Sequence, residues 1–324
     1  MVFSKILFVG LGGAGQRHLR ILHDLLPNAE LLAYRKLKKT PLLNSNFTVD
    51  HGTSLENKYN LTLFDSLDKA FEEEPDLIVI STPSSLHMDT MIEAAKRGIN
   101  VFVEKPVSHN LDNFDEFRSL VKEKNLAFFV SLQRRFHPLI KKAKNIIDSG
   151  SLGKIISAKF DVASYVPFWH KYEDFHELYA CKKELGGGVL LTEIHEIDLC
   201  CWFFGIPKNL FCAGGQCGEY SLDVEDTAHI TLDYLEFPVQ ISLCFMQQHN
   251  KREFMVSGTK GYLQWNQDNE VLTHYVYDSG QNNKESVDDF TNDMMFYEQA
   301  NYFINDFNNN DKSYLDIAYY SQLI

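Results

Sequence analysis

The chain has 324 residues, too many for one ordinary core and enough for two domains. Its 44% hydrophobic and 23% charged residues are those of a globular protein and exclude general disorder. The net charge of −13 speaks against a broad contact with nucleic-acid phosphates and for a free cytoplasmic protein, while leaving room for a local anion site. The first ten residues are apolar only for a strand's length, with no basic segment or cleavage site, so a signal peptide is not expected. No apolar run reaches the roughly 18 residues of a membrane span, so no membrane partner is expected.

In chain order, residues 6–9 read as a buried strand, 14–26 as a helix and 30–34 as a second strand. A helix over 66–73, a strand over 77–81, a helix over 87–97, a strand over 101–103, a helix over 111–124 and a strand over 127–131 follow. Strands apolar on both faces, alternating with helices, predict a doubly wound parallel sheet, that is, an α/β Rossmann domain. The character changes near Gln133. After a helix over 138–149 come β-like stretches at 155–162, 227–234, 239–245, 254–257, 261–265 and 270–277, interrupted by one helix over 189–204. This half reads as an α+β domain with a large, open, mostly antiparallel sheet. A polar turn is expected at 308–312 and a terminal helix at 314–324. The boundaries drawn are 1–125 for the dinucleotide-binding domain and 126–324 for the substrate and oligomerisation domain, with the terminal helix free to pack back on the first. Cys181, Cys200, Cys201, Cys212, Cys217 and Cys244 form no CxxC pair, so buried reduced thiols are expected, and no metal site.

Gly10-Leu11-Gly12-Gly13-Ala14-Gly15 follows the first strand and opens the first helix. In that context the pattern is a dinucleotide fingerprint: tight turn, backbone approach to a pyrophosphate, close helix–strand packing. The helix N-terminus then offers N–H groups to phosphate. The second strand ends Ala33-Tyr34-Arg35-Lys36, followed by Lys38 and Lys39. An NAD-selective site would carry an acidic residue there. Arg35 instead can meet a 2′-phosphate or stack on adenine, or it belongs to a solvated basic loop. NADP is therefore preferred over NAD, and FAD is disfavoured.

Two more segments fall where parallel strands end: Ser81-Thr82-Pro83 leading to His87, and Glu104-Lys105-Pro106. With the glycine turn, with Gln133-Arg134-Arg135-Phe136-His137-Pro138, and with Gly186-Gly187-Gly188 leading to His195 and Asp198, the chain resembles the glucose–fructose oxidoreductase / inositol dehydrogenase (Gfo/Idh/MocA) family. The resemblance covers essentially the whole chain in order. It implies hydride transfer between a nicotinamide and a carbinol carbon of a sugar, sugar nucleotide or polyol. In that reading Lys105 touches the reacting hydroxyl, His195 is the acid–base group, and Glu104 and the Thr82-Pro83 loop contact the cofactor. The residue types suit the chemistry, because an imidazole takes a hydroxyl proton near neutral pH and a cation stabilises the alkoxide.

One position departs from the family pattern. Many members carry an Asp one turn before the histidine; here the place is Thr192, beside Glu193. On one helix Thr192 and His195 share a face, and Asp198 or Glu196 could partner the imidazole instead. For the substrate, Trp169, Tyr172, Tyr179 and Lys183 offer aromatic faces, hydroxyls and charge suited to a sugar derivative, or the aromatics pack on the sheet. The branch resembles members of surface-polysaccharide pathways. The family also implies a homodimer or homotetramer. Two other functions stay open: a non-catalytic dinucleotide sensor, and a reductase of a non-sugar substrate.

Overall fold

The computed structural model describes residues 3–36, 40–169, 174–307 and 317–324. The chain divides into two compact units. One comprises Met1–Ser131, Asn292–Gln322 and Ile324; the other comprises Leu132–Thr291 and Leu323.

The first unit begins β1 (Lys5–Val9), α1 (Gly13–Leu25), β2 (Glu30–Tyr34), a small hairpin β3 (Leu42–Leu43) and β4 (Val49–Asp50), and α2 (Leu55–Tyr59). It continues β5 (Thr62–Phe64), α3 (Leu67–Glu72), β6 (Leu77–Ile80), α4 (His87–Lys96), β7 (Asn100–Glu104), α5 (Phe114–Glu123) and β8 (Phe128–Ser131). Six strands form a parallel sheet in the order β5-β2-β1-β6-β7-β8. This is the doubly wound Rossmann arrangement, and the order reverses between β1 and β6, where such sheets bind ligands. Ile6–Phe8, Leu77–Ile80 and Val101–Val103 are fully buried, as strands covered on both faces must be.

The second unit holds α6 (Pro138–Asp148), β9 (Ile155–Tyr165), α7 (Val189–Thr192), α8 (Ile194–Phe204), β10 (Asn209–Gly215), β11 (Thr227–Asp233) and β12 (Pro238–Cys244). It ends β13 (Met246–Gly258), β14 (Gly261–Asn266), β15 (Val271–Val276) and β16 (Gln281–Ser286). Eight strands run β10-β11-β12-β9-β13-β14-β15-β16, antiparallel except for the β12–β9 pair. Phe160, Val162, Ile241, Leu243, Phe254, Val256 and Trp265 supply one face of the core, whereas Lys159 and Asp161 alternate to the other. Pro138 at the first helical position and the His137 side chain, which accepts the Leu139 amide at 3.2 Å, start α6.

The single helix expected over 189–204 is two helices. Glu193, at φ −99° and ψ +32°, leaves helical geometry between α7 and α8, and its carboxylate takes a guanidinium N–H of Arg252. Thr192 and His195 therefore lie on either side of a break, and the shared-face argument for them does not hold.

After the second unit the chain returns to the first with α9 (Asn292–Asn301), a π-helical turn (Tyr302–Asp306) and α10 (Ile317–Leu323). Asp293 binds Arg17 at 2.9 Å and Arg20 at 2.8 Å on α1. Phe303 packs on Phe3, Phe102 and Phe129 at centroid distances of 5.2–5.4 Å. The turn expected at 308–312 and the residues just before α10 lie outside the described residues. No described helix is long and apolar enough to cross a membrane.

Candidate active site

Each glycine of the Gly10–Gly15 turn has its own physical reason. Gly10 sits at φ +95°, and a Cβ there would lie 2.8 Å from the Ser81 carbonyl oxygen. A Cβ on Gly15 would stand 2.2 Å from the Gly10 carbonyl oxygen, so only glycine lets α1 approach β1. Gly13 faces the Phe47 ring, 2.9 Å from its would-be Cβ. Gly12 is different: it caps α1, and nothing lies within 4 Å of its would-be Cβ. The open side of the turn is thus at the helix start, where Ala14 forms the first turn and no acidic side chain offsets the partial positive charge. These features fit a dinucleotide pyrophosphate. Gln16 ties the turn to the hairpin segment, donating to the Leu11 and Pro41 carbonyls (3.0 and 2.8 Å) and accepting the Leu43 amide (2.8 Å).

The neighbouring strand ends are wired to this turn. Ser81 Oγ donates to the Gly10 carbonyl at 2.9 Å. Thr82 Oγ1 is buried with no hydrogen-bond partner among the described residues, a polar group suited to a ligand. Beyond Pro83, His87 is buried with Nε2 2.8 Å from the Thr82 carbonyl and Nδ1 2.9 Å from the Pro106 carbonyl. One ring thus spans the Thr82-Pro83 and Lys105-Pro106 loops. Burial pushes its pKa down, against the pull of the two carbonyls.

Glu104, expected at the cofactor, turns inward. It is 8% exposed; Oε1 meets His18 Nε2 of α1 at 2.5 Å and accepts from Ser131 Oγ at 3.2 Å, and Oε2 accepts the Lys105 amide at 3.1 Å. It therefore anchors the backbone of Lys105 to the helix that begins at the glycine turn. Burial alone would raise its pKa, but the His18 hydrogen bond and the charges of His18 and Lys105 hold it below the usual value. A depressed carboxylate stabilises the fold above its unfolded pKa, and that contribution fades as pH falls through the folded value. The Tm gap between the protein and Glu104→Gln is accordingly expected to hold from about pH 7 to about pH 5 and to narrow as pH falls below about 4.5, toward the folded value. A gap independent of pH in thermal melts would reject the ionised role.

At the end of β2, the Tyr34 carbonyl accepts the Gly10 amide at 3.2 Å, which places Arg35 beside the turn. Arg35 Nη2 donates to Glu56 Oε1 at 2.5 Å. Lys38 and Lys39 lie outside the described residues.

In the second unit the three glycines before α7 are structural. Gly186 and Gly188 have φ of +79° and +105°, and a Cβ on Gly187 would be 2.4 Å from the Tyr179 carbonyl oxygen. Thr192 and His195 are buried, at 4% exposure each. His195 Nε2 lies 3.2 Å from Gln133 Nε2, a neighbour that sequence reasoning missed although Gln133 belongs to a segment it singled out. The carboxylates offered as partners of His195 are engaged elsewhere. Arg135 binds both oxygens of Asp198, with Nε at 2.9 Å from Oδ2, and Glu196 meets Arg252 at 3.2 Å. Burial and the charge of Arg252 push the Arg134 guanidinium down to about 9. Burial and Glu193 push the Glu196 carboxyl up, against Arg252 and Arg134.

Of the substrate candidates, Trp169 packs edge-on against Phe245 at 4.9 Å, and Tyr179 is half-buried on a 3₁₀ turn. Lys183 is exposed, its amide donating to Asp223 at 3.0 Å. Tyr172 lies outside the described residues. Among the described residues no group of His, Cys, Asp and Glu is placed to hold a metal ion.

Residues 4–132 match the model of an oxidoreductase family with an NAD-binding Rossmann fold, and residues 140–264 match the C-terminal domain of that same family, GFO/IDH/MocA. The scyllo-inositol 2-dehydrogenase (NAD(+)) of Bacillus subtilis is 33% identical over 153 residues, covering 47% of this chain and 42% of that protein. The 2,7-anhydro-N-acetylneuraminate hydratase of Mediterraneibacter gnavus is 25% identical over 226 residues, covering 66% and 58%. The WlbA dehydrogenase of Bordetella pertussis, solved in complex with NADH and UDP-GlcNAcA, shares the fold at a TM-score of 0.69 and 21% identity, covering 81% of this chain and 77% of that one. The chain spans 56%, 58% and 64% of the lengths of three curated relatives it matches. By both domain matches, taken with the parallel sheet and glycine turn described above, the chain belongs to the Gfo/Idh/MocA oxidoreductase family.

Proposed function

We propose that the protein is an NAD(P)-dependent oxidoreductase acting on a carbinol carbon of a sugar, sugar nucleotide or polyol. The observation that carries this reading is the glycine turn: Gly10 and Gly15 are required by packing, while Gly12 opens to free space at an uncompensated helix start. Relatives whose names include inositol and sugar-nucleotide chemistry support the substrate class.

In the oxidative direction the C–H bond of the carbinol breaks, its electron pair leaves as hydride, the O–H proton leaves to a base, and a C=O bond forms. A bound nicotinamide supplies the hydride acceptor. In this reading Lys105 stabilises the alkoxide and His195 takes the hydroxyl proton, with Gln133 beside its ring. Thr82, with its buried hydroxyl, and Pro83 contact the cofactor, as do Ser81, Tyr34 and Arg35. Trp169, Tyr179, Lys183 and Thr192 face the substrate. Arg35 is the group able to meet the 2′-phosphate of NADP, the form expected from the sequence; its engagement by Glu56 weighs the other way. The reading includes a cytoplasmic setting and a homodimer or homotetramer.

The test is direct. The purified chain is titrated with NADH and NADPH by nicotinamide fluorescence, then assayed with NAD⁺ and NADP⁺ against polyols, free sugars and sugar nucleotides. Nicotinamide reduction by any of these supports the reading. Binding of a dinucleotide with no turnover across the panel turns it into a sensor, and no binding at all overturns it.

A further inference from the structure

The strand after the glycine turn is followed directly by a cation, at the position where NAD-selective chains place a carboxylate. Arg35 stands 20 residues beyond Gly15 and flanks the turn through the Tyr34–Gly10 hydrogen bond. The structure brings a carboxylate to that place from elsewhere in the chain. Glu56 Oε1 accepts from Arg35 Nη2 at 2.5 Å, and the two side chains keep only 11% (Arg35) and 30% (Glu56) exposure. Glu56 is held firmly. It sits in the first turn of α2, whose start is capped by Ser54 Oγ accepting the Asn57 amide at 3.2 Å, and whose Leu55 and Tyr59 are buried.

We propose that Glu56 sets the cofactor preference: it occupies Arg35 and makes the ribose end of the site select NAD over NADP. The proposal rests on reading the glycine turn as a dinucleotide site. A 2′-phosphate carries close to two negative charges and seeks the guanidinium. It reaches Arg35 either by displacing Glu56, which strands a half-buried carboxylate, or by sitting beside it, which sets two anions against one cation. A ribose 2′-hydroxyl meets neither obstacle. It donates to the carboxylate, whose two oxygens have lone pairs beyond the one Arg35 uses, while the planar guanidinium keeps its face for adenine. The preference for NADP drawn from Arg35 alone thus reverses once its partner is seen.

The measurement is the Kd of NADH and NADPH by nicotinamide fluorescence, for the wild-type chain, Glu56→Gln and Arg35→Ala/Glu56→Gln. Wild type is expected to bind NADH at least about tenfold more tightly than NADPH. Glu56→Gln keeps the size and removes the charge; NADPH is expected to gain about tenfold, and NADH to weaken a few-fold. The double variant, lacking the cation, is expected to lose the NADPH gain, which ties the effect to Arg35. A Kd ratio that stays within about twofold of wild type in Glu56→Gln, or a wild type that prefers NADPH, overturns the proposal while leaving the dinucleotide site intact. Failure of wild type to bind either nucleotide instead overturns the underlying reading, and the proposal with it.

Discussion

Replacing His195 by alanine is expected to lower kcat by about 10²-fold or more while leaving the Kd for dinucleotide within about twofold. His195 opens α8 just past the break at Glu193, is 4% exposed, and is met at Nε2 by the Gln133 side chain. A buried imidazole with a fixed neighbour keeps one ring orientation, and an acid–base group needs that to sit on the proton it moves. The residues assigned to the dinucleotide all belong to the first unit, so cofactor binding should survive the change. Steady-state kinetics with nicotinamide fluorescence titration separates the two effects. A near-normal kcat removes His195 from the acid–base role. Gln133→Leu, which keeps bulk without the amide, is expected to cost less and to displace the pH profile of kcat, the mark of a positioning residue.

The second large effect is on stability. Asp198→Ala is expected to destabilise the second unit by about 3–5 kcal/mol. Asp198 is fully buried and the Arg135 side chain is 4% exposed, with both carboxylate oxygens bound to the guanidinium. Trp202 lies under that guanidinium, 5.6 Å from ring centre to Cζ. Removing the carboxylate leaves a charge in an apolar setting with its main counter-ion gone, which costs more than the pair contributed. Urea unfolding measures this as a fall in midpoint with little change in slope. A loss below about 1 kcal/mol would show that solvent reaches Arg135 when Asp198 is gone. The apolar replacement Arg135→Met/Asp198→Leu, which removes both charges, is expected to recover much of the loss.

The parts of the fold that sequence reading captured are those whose burial leaves a strong signal. β1, β6, β7 and β8 are apolar on both faces, and runs such as Leu77-Ile-Val-Ile80 announce a covered parallel sheet. β10 and β16 escaped because they are the edges of the second sheet and almost wholly exposed, so neither shows the alternation of a half-buried strand. The hairpin of β3 and β4 and the five-residue α2 are too short to show a period. The break at Glu193 was hidden because Ile194-His195-Glu196-Ile197 continues a helical pattern; tertiary pairing with Arg252 overrides it.

In the candidate site, motifs located the loops and missed the partners. Glu104-Lys105-Pro106 could be found by its place after a strand, but nothing in it says that Glu104 faces His18. Arg35 was found by counting from Gly15. Glu56 lies 2.5 Å from it in space and 21 positions away in sequence, with no local pattern to connect them. A long-range ion pair of this kind is invisible to periodicity.

The return of α9 to α1 orders events during synthesis. The first domain is interrupted in the chain by residues 132–291, so the salt bridges of Asp293 to Arg17 and Arg20, and the packing of Phe296 on His18, cannot form until the whole second domain has been translated. At ~5–20 residues per second that wait lasts roughly 10–30 s. Throughout it the nascent dinucleotide domain carries two unpaired arginines and an uncovered aromatic surface at Phe3, Phe102 and Phe129, awaiting Phe303. A ribosome stalled short of Asn292 should therefore display a protease-sensitive first domain.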